Sequence, residues 1–213
     1  MDYEGATWQV VRAVFPGIEI QGCLFHFMQA VYRKVQELGL QTAYSNDPGT
    51  NSICGKLVAL PLLPQEHIIT VFKAIVRQAW VGIQAINNLI EYVRSTWVVS
   101  QPFPPRGWSV FGQSVRTNNN CEGWHYRLNH RGKRAKLPFY LLVQLLHKEA
   151  RIVNIQVTMV YQEDLTQDQH HGAANITSRM EKLWVEYSNG SHSALSLIAT
   201  GSHLISPKGD ITD

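Results

Sequence analysis

Helical periodicity constrains this chain more than any other feature of its 213 residues. Leu24, Phe27, Val31, Val35 and Leu38 recur at the three- and four-residue steps of one helix face, and Gly39 closes the run as a C-cap. Ala6, Val10, Val11 and Val14 do the same between Tyr3 and Phe15, and Pro16-Gly17 ends them. Further helical segments are expected at about 52–60, 64–78 and 82–95, punctuated by Pro61 and Pro64 and preceded by a turn-rich break over 44–50. A helix is expected to start at Asn119, a preferred N-cap. A long amphipathic helix should follow over 138–161, with Leu141, Leu142, Leu145, Leu146, Ile152 and Val153 on its apolar side. Against all this, only the stretch Gly17–Gly22 alternates as a short strand would. The fold class expected is therefore mainly α.

Punctuation suggests where the chain divides. The segment from Gln101 to Gly107, with Pro102, Pro104 and Pro105, reads as a linker. Residues 162–174 read as a second, flexible linker, residues 176–187 as one last helix, and the chain from Thr200 as disordered.

With 45% hydrophobic and only 16% charged residues, the chain carries enough apolar material for a core and too little charge for a disordered tail. Cys23, Cys54 and Cys121 are odd in number and widely spaced, which argues against a disulfide framework and for a reducing compartment. The first residues show no signal-peptide pattern, and no apolar run reaches the ~20 residues a membrane span needs. The expectation is a soluble intracellular protein with no membrane partner.

The net charge of +3 conceals a strong asymmetry. Residues 106–151 hold nine Lys and Arg against two acidic side chains, an excess of +7, whereas residues 152–213 hold three against seven. A basic block of that size attracts polyanions, although a solvated helix face and loop have the same composition.

Several stretches, in order, resemble the transposase domain of Mutator-like elements, the MULE family of cut-and-paste DNA transposases. They are Asp2-Tyr3-Glu4 with Val14-Phe15-Pro16, then Gly22-Cys23-Leu24-Phe25-His26-Phe27-Met28-Gln29-Ala30-Val31-Tyr32-Arg33-Lys34-Val35 with Gly39-Leu40, then Trp108-Ser109-Val110-Phe111, and last Arg116-Thr117-Asn118-Asn119-Asn120-Cys121-Glu122-Gly123-Trp124-His125. The resemblance covers about residues 1–160. It implies a ribonuclease H-like (α/β) core in which three carboxylates bind two divalent metals, usually Mg²⁺, for DNA strand cleavage and transfer. Asp2 matches the second carboxylate and Glu122 the third, and the residues between match a helical insertion. The family's first carboxylate lies on a strand upstream of the Asp2 position. The resemblance thus implies the C-terminal part of such a transposase, with most of the central sheet missing from this chain, apolar surface exposed where that sheet packs, and no cutting by this chain alone.

On that basis residues 1–51 are expected to be a partial ribonuclease H-like core and 52–100 the helical insertion. Residues 101–161 would hold a linker, the third-carboxylate helix and a long helix, and 162–213 a mostly flexible tail with one short helix. DNA and a nuclear location are implied, and no small-molecule substrate. The alternative is a domesticated, non-catalytic DNA-binding or protein-interaction module.

Each site residue also has a plainer reading. Asp2 suits a helix cap, and Glu122 suits a capping box if Asn119 is the N-cap. Cys23 and His26 (C-x2-H) and Cys121 and His125 (C-x3-H) have the ligand types of a tetrahedral Zn²⁺ site, yet also suit a buried thiol and a core histidine. A Cys–His nucleophile would lack an orienting Asn or Asp at recognisable spacing. Arg116, Arg127, Arg131, Lys133, Arg134 and Lys136 form a basic rim suited to a DNA backbone or, equally, a solvated loop. The tryptophans at 8, 80, 97, 108, 124 and 184 sit mostly in apolar helical context and are expected to anchor the core.

Overall fold

The computed structural model describes residues 1–79, 83–117, 119–132, 137–161 and 171–205, with side chains at all of these except 119–121, 155–161 and 171–174. Ten α-helices and no β-strand are present among the described residues. They are α1 (Gly5–Val14), α2 (Leu24–Glu37), α3 (Gln41–Asn46), α4 (Pro48–Val58), α5 (Gln65–Gln78), α6 (Gln84–Val93), α7 (Asn119–Gly132), α8 (Phe139–Tyr161), α9 (His171–Ser188) and α10 (Ala194–Ile205). None of them is long and apolar enough to cross a membrane. The mainly α expectation holds, and its ribonuclease H-like part rests on the resemblance alone.

The chain forms two compact units. Met1–Thr117 together with the chain from Ile176 makes the first, and Asn118–Asn175 the second. In the first, α4 is the central element, packed against α2, α3, α5, α6 and α10. The periodic face of α2 does what its spacing requires: Phe27, Val31 and Val35 are fully buried. At roughly 1.5–3 kcal/mol for each large apolar side chain removed from water, that face alone commits α2 to the core.

Several local expectations are corrected. Gly17–Gly22 forms no strand, because a strand needs a neighbour to receive its ladder. The Gly22 N–H goes instead to the Gly107 carbonyl, at 2.7 Å. The break over 44–50 is only one residue wide: α3 runs through Tyr44 to Asn46, and the Asp47 carboxylate accepts the Thr50 N–H at 2.7 Å to start α4, with Pro48 first in the helix. That amide holds the Asp47 carboxyl below the usual carboxylate range.

The segment 101–107 is irregular but belongs to the core of the first unit. Phe103 packs edge-on against Tyr3 and Trp8, with ring centroids 5.5 and 5.1 Å apart. The division of the chain falls at Thr117 instead. Finally, α9 has already begun at His171, inside the proposed linker 162–174, whose residues 162–170 lie outside the described ones. The region from 176 on holds two helices rather than one. Residues 200–205 are the end of α10, whose Leu197 and Ile198 are fully buried. Its Thr-Gly-Ser composition resembles a loop, but small residues are what the packing needs there. A Cβ at Gly201 would lie 2.5 Å from Leu62, and one at Gly55 of α4 3.3 Å from Ser202. Residues 206–213 lie outside the described ones.

The second unit is built on α7 and α8, which pack on each other. Glu149 of α8, 3% exposed, is paired with Arg131 of α7.

Candidate functional site

Most of the sequence stretches that carry the family resemblance meet in the first unit, held by backbone hydrogen bonds between distant parts of the chain, whereas the last of them passes into the second unit after Thr117. Cys23 N–H donates to the Met1 carbonyl at 2.9 Å, Gly22 N–H to Gly107 at 2.7 Å, and Leu24 N–H to Arg116 at 2.9 Å. Side chains repeat the pattern. Trp8 Nε1 donates to the Asp2 carbonyl at 2.7 Å, and Gln21 Nε2 to the Ser109 carbonyl at 2.9 Å. The N-cap of α2, Cys23, makes no side-chain cap, so the Arg116 carbonyl satisfies the Leu24 amide, one of those every helix start leaves without a partner.

An aromatic cluster fills the junction. Tyr3 stacks on Trp8 with centroids 5.7 Å apart and meets Trp97 edge-on at 4.6 Å, while Phe27 stacks on Trp108 at 5.0 Å. Trp8, Trp97, Trp108 and Trp184 are buried as expected; Trp124 is half-buried, and Trp80 lies outside the described residues. Burial pushes the Tyr3 phenol well above its ordinary pKa, and the nearby Cys23 adds to the shift. A Cβ at Gly22 would sit 2.4 Å from the Tyr3 hydroxyl. Because the Tyr3 ring is hemmed in by Trp8, Trp97 and Phe103, Gly22→Ala is expected to lower stability by about 1–3 kcal/mol, as overpacking does. Urea unfolding of the variant checks this; an unchanged midpoint would mean that the junction is looser than described.

Asp2 does not cap α1, whose cap position is Glu4. Its carboxylate lies 3.3 Å from His26 Nδ1, close enough to pair with a protonated ring but not aligned as a hydrogen bond. Sequence spacing gives no hint of this pairing, since the two residues meet only because the start of the chain lies against the start of α2. Cys23, three positions before His26, is buried. Arg116 turns inward: Nη2 donates to Thr177 Oγ1 at 2.7 Å and the guanidinium lies 5.8 Å from the Trp184 ring centre. Burial lowers its pKa, and Glu181 partly offsets that shift.

The remaining site residues belong to the second unit. Glu122 is exposed in the first turn of α7, where a negative charge favours the helix dipole. His125, Tyr126, Arg127 and Asn129 are exposed along the same helix. The Cys121 side chain, Lys133, Arg134 and Lys136 lie outside the described residues. Arg131 is half exposed and engaged with Glu149. Residues 118–161 carry seven Lys and Arg against two Glu, and Arg131 already matches one of those Glu. On α7 and α8 themselves the exposed Arg127, Lys148 and Arg151 outnumber the exposed Glu122, and in sequence Lys133, Arg134 and Lys136 fall between the two helices. Cys23 with His26 and Glu122 with His125 thus fall in different units. Among the described residues no three His, Cys, Asp or Glu side chains gather as a metal ion requires.

Sequence patterns gave no sign of a cleft of about 820 Å³ in the first unit, lined by Arg12, Phe15, Ile18, Gln21, Arg106 and Phe111 among others. Phe15 and Ile18 are exposed there, and Val10 and Val14 are exposed on α1. Glu19 and Glu66 offset the two arginines, so the cleft favours no one sign of ligand charge. No family model, no curated protein and no solved structure matches this chain.

Proposed function

We propose that the chain is part of a MULE-type DNA transposase and that its own contribution is to hold DNA, not to cut it. The observation supporting the family reading is the junction itself. Asp2-Tyr3, Gly22-Cys23-Leu24, Trp108-Ser109 and Arg116 are scattered over more than half the sequence, yet each is tied to another of the stretches, or to its immediate neighbour, by a specific hydrogen bond. The DNA reading is supported by the cationic excess of the sequence over 118–161, of which Arg127, Lys148 and Arg151 are exposed on α7 and α8.

The divalent metals of the ancestral chemistry do not fit the described residues. Asp2 is engaged with His26, and no third ligand joins them. No cleavage step is therefore assigned to this chain, and Asp2 and Glu122 are proposed as ancestral carboxylates. A Zn²⁺ role for Cys23 and His26 lacks further ligands among the described residues in the same way.

Fluorescence anisotropy of a labelled DNA duplex, titrated at several salt concentrations, tests the proposal. Binding should weaken steeply with salt, with a log–log slope of roughly −0.9 for each phosphate neutralised. Replacing Arg127, Lys133 and Lys136 by Ala should flatten that slope by about one for each lost contact. Binding that is absent at low salt, or unmoved by the three substitutions, would overturn the DNA face. Mg²⁺-dependent nicking abolished by Asp2→Ala or Glu122→Ala would overturn the non-cutting reading instead.

A further inference from the structure

Helix α8 carries two apolar stripes, and the second unit uses one of them. Leu142, Leu145 and Ile152 are half-buried on the side of the helix that also presents Glu149 to Arg131. The other stripe steps by four, three, four and three residues through Phe139, Val143, Leu146, Ala150 and Val153, and the sequence continues the same spacing through Val157 and Val160. At ~100° per residue the two stripes are centred roughly 110° apart. The second stripe is in water: Phe139 is 70% exposed, Val143 46%, Leu146 38% and Val153 43%. Beside it, Trp124 of α7 joins Leu146, Ala150 and Val153 in lining a shallow groove of about 430 Å³.

We propose that this stripe is a self-association surface: two copies of the chain pair their α8 helices along it as a coiled-coil seam, each α7 flanking its own α8 in a four-helix arrangement. A strict seven-residue repeat is the pattern a helix needs to stay in register with another helix along its length, and α8 spans 23 residues, three heptads. The positions bordering the stripe are Tyr140, Leu142, His147, Glu149 and Asn154. The only fixed charge among them, Glu149, already has its partner in Arg131, while Lys148 and Arg151 fall off the seam. Two copies therefore meet without like-charge repulsion, and an acidic or polyanionic partner finds nothing to pair with there. The area suffices as well. Phe139, Tyr140 and the exposed aliphatic residues offer about 500 Å² per copy, hence ~1,000 Å² across a two-fold axis, the scale at which specific interfaces begin.

Sedimentation velocity of the full chain across the micromolar range tests this without DNA. The mass should rise with concentration towards twice the 24.1 kDa of one chain. Leu146→Glu combined with Val153→Glu should hold it at one chain throughout, with the helical circular dichroism unchanged because both positions are already exposed. Under oxidation Ala150→Cys should form a covalent dimer far faster than Lys148→Cys, which lies off the seam. A single-chain mass at every concentration, a dimer indifferent to the double substitution, or equal cross-linking at 150 and 148 would each overturn the proposal.

Discussion

Trp108→Ala is expected to remove a large part of the stability of the first unit, about 3–5 kcal/mol, out of the roughly 5–15 kcal/mol that a domain has in total. Trp108 is fully buried, stacks on Phe27 and donates from Nε1 to the Phe103 carbonyl at 3.1 Å. Its neighbours fasten the same strip of chain: Ser109 Oγ donates to the Leu63 carbonyl at 2.6 Å and Val110 N–H to Pro61 at 2.8 Å. Truncation therefore opens a cavity under Phe27 and frees the carbonyl of the half-buried Phe103 at a point where three distant segments meet. Trp108→Phe keeps a ring against Phe27 and loses the hydrogen bond, so it should cost less, about 1–3 kcal/mol. Urea unfolding followed by circular dichroism separates the two variants. A Trp108→Ala midpoint close to that of the parent chain would show that the junction does not hold the unit together.

The helices were legible wherever a face repeats without interruption. Phe27, Val31 and Val35 are spaced for one buried stripe and are buried in one stripe. Strand character at Gly17–Gly22 could not be settled from alternation, because alternation shows that a segment suits a ladder and says nothing about whether a partner strand is present. Small polar residues misled at two places for related reasons. Asp47 and Pro48 look like the centre of a turn but are the cap and first residue of α4. Thr200, Gly201 and Ser202 look like a frayed end but let α10 approach Gly55 and Leu62.

At the candidate site, residue types were legible and their partners were not. A basic rim can be read from composition. That Arg116 is spent on Thr177 and Trp184, and Arg131 on Glu149, depends on helices 61 and 18 residues away in sequence. Asp2 and His26 are a similar case, since local spacing carries no trace of a contact between segments 24 positions apart. Among the described rim residues the functional weight therefore shifts to the exposed Arg127, which the DNA test substitutes together with Lys133 and Lys136.

Arg131 itself supports a sharper experiment. Arg131→Ala leaves Glu149, 4% exposed at its side chain, as a buried carboxylate stripped of its partner, at a cost of about 1–3 kcal/mol to the pairing of α7 with α8. Faster hydrogen exchange along both helices is the expected readout. Adding Glu149→Leu removes the buried charge and extends the half-buried stripe of Leu142, Leu145 and Ile152, so the double variant should regain the lost protection. Measuring DNA affinity on the same three proteins then separates two roles that the single substitution confounds. If Arg131 acts only by holding Glu149, the double variant recovers binding together with protection. If the half-exposed guanidinium also meets a phosphate, protection returns and affinity does not, and the salt dependence stays shallower by about one contact. Undisturbed exchange in Arg131→Ala would show instead that the pair contributes nothing to the second unit.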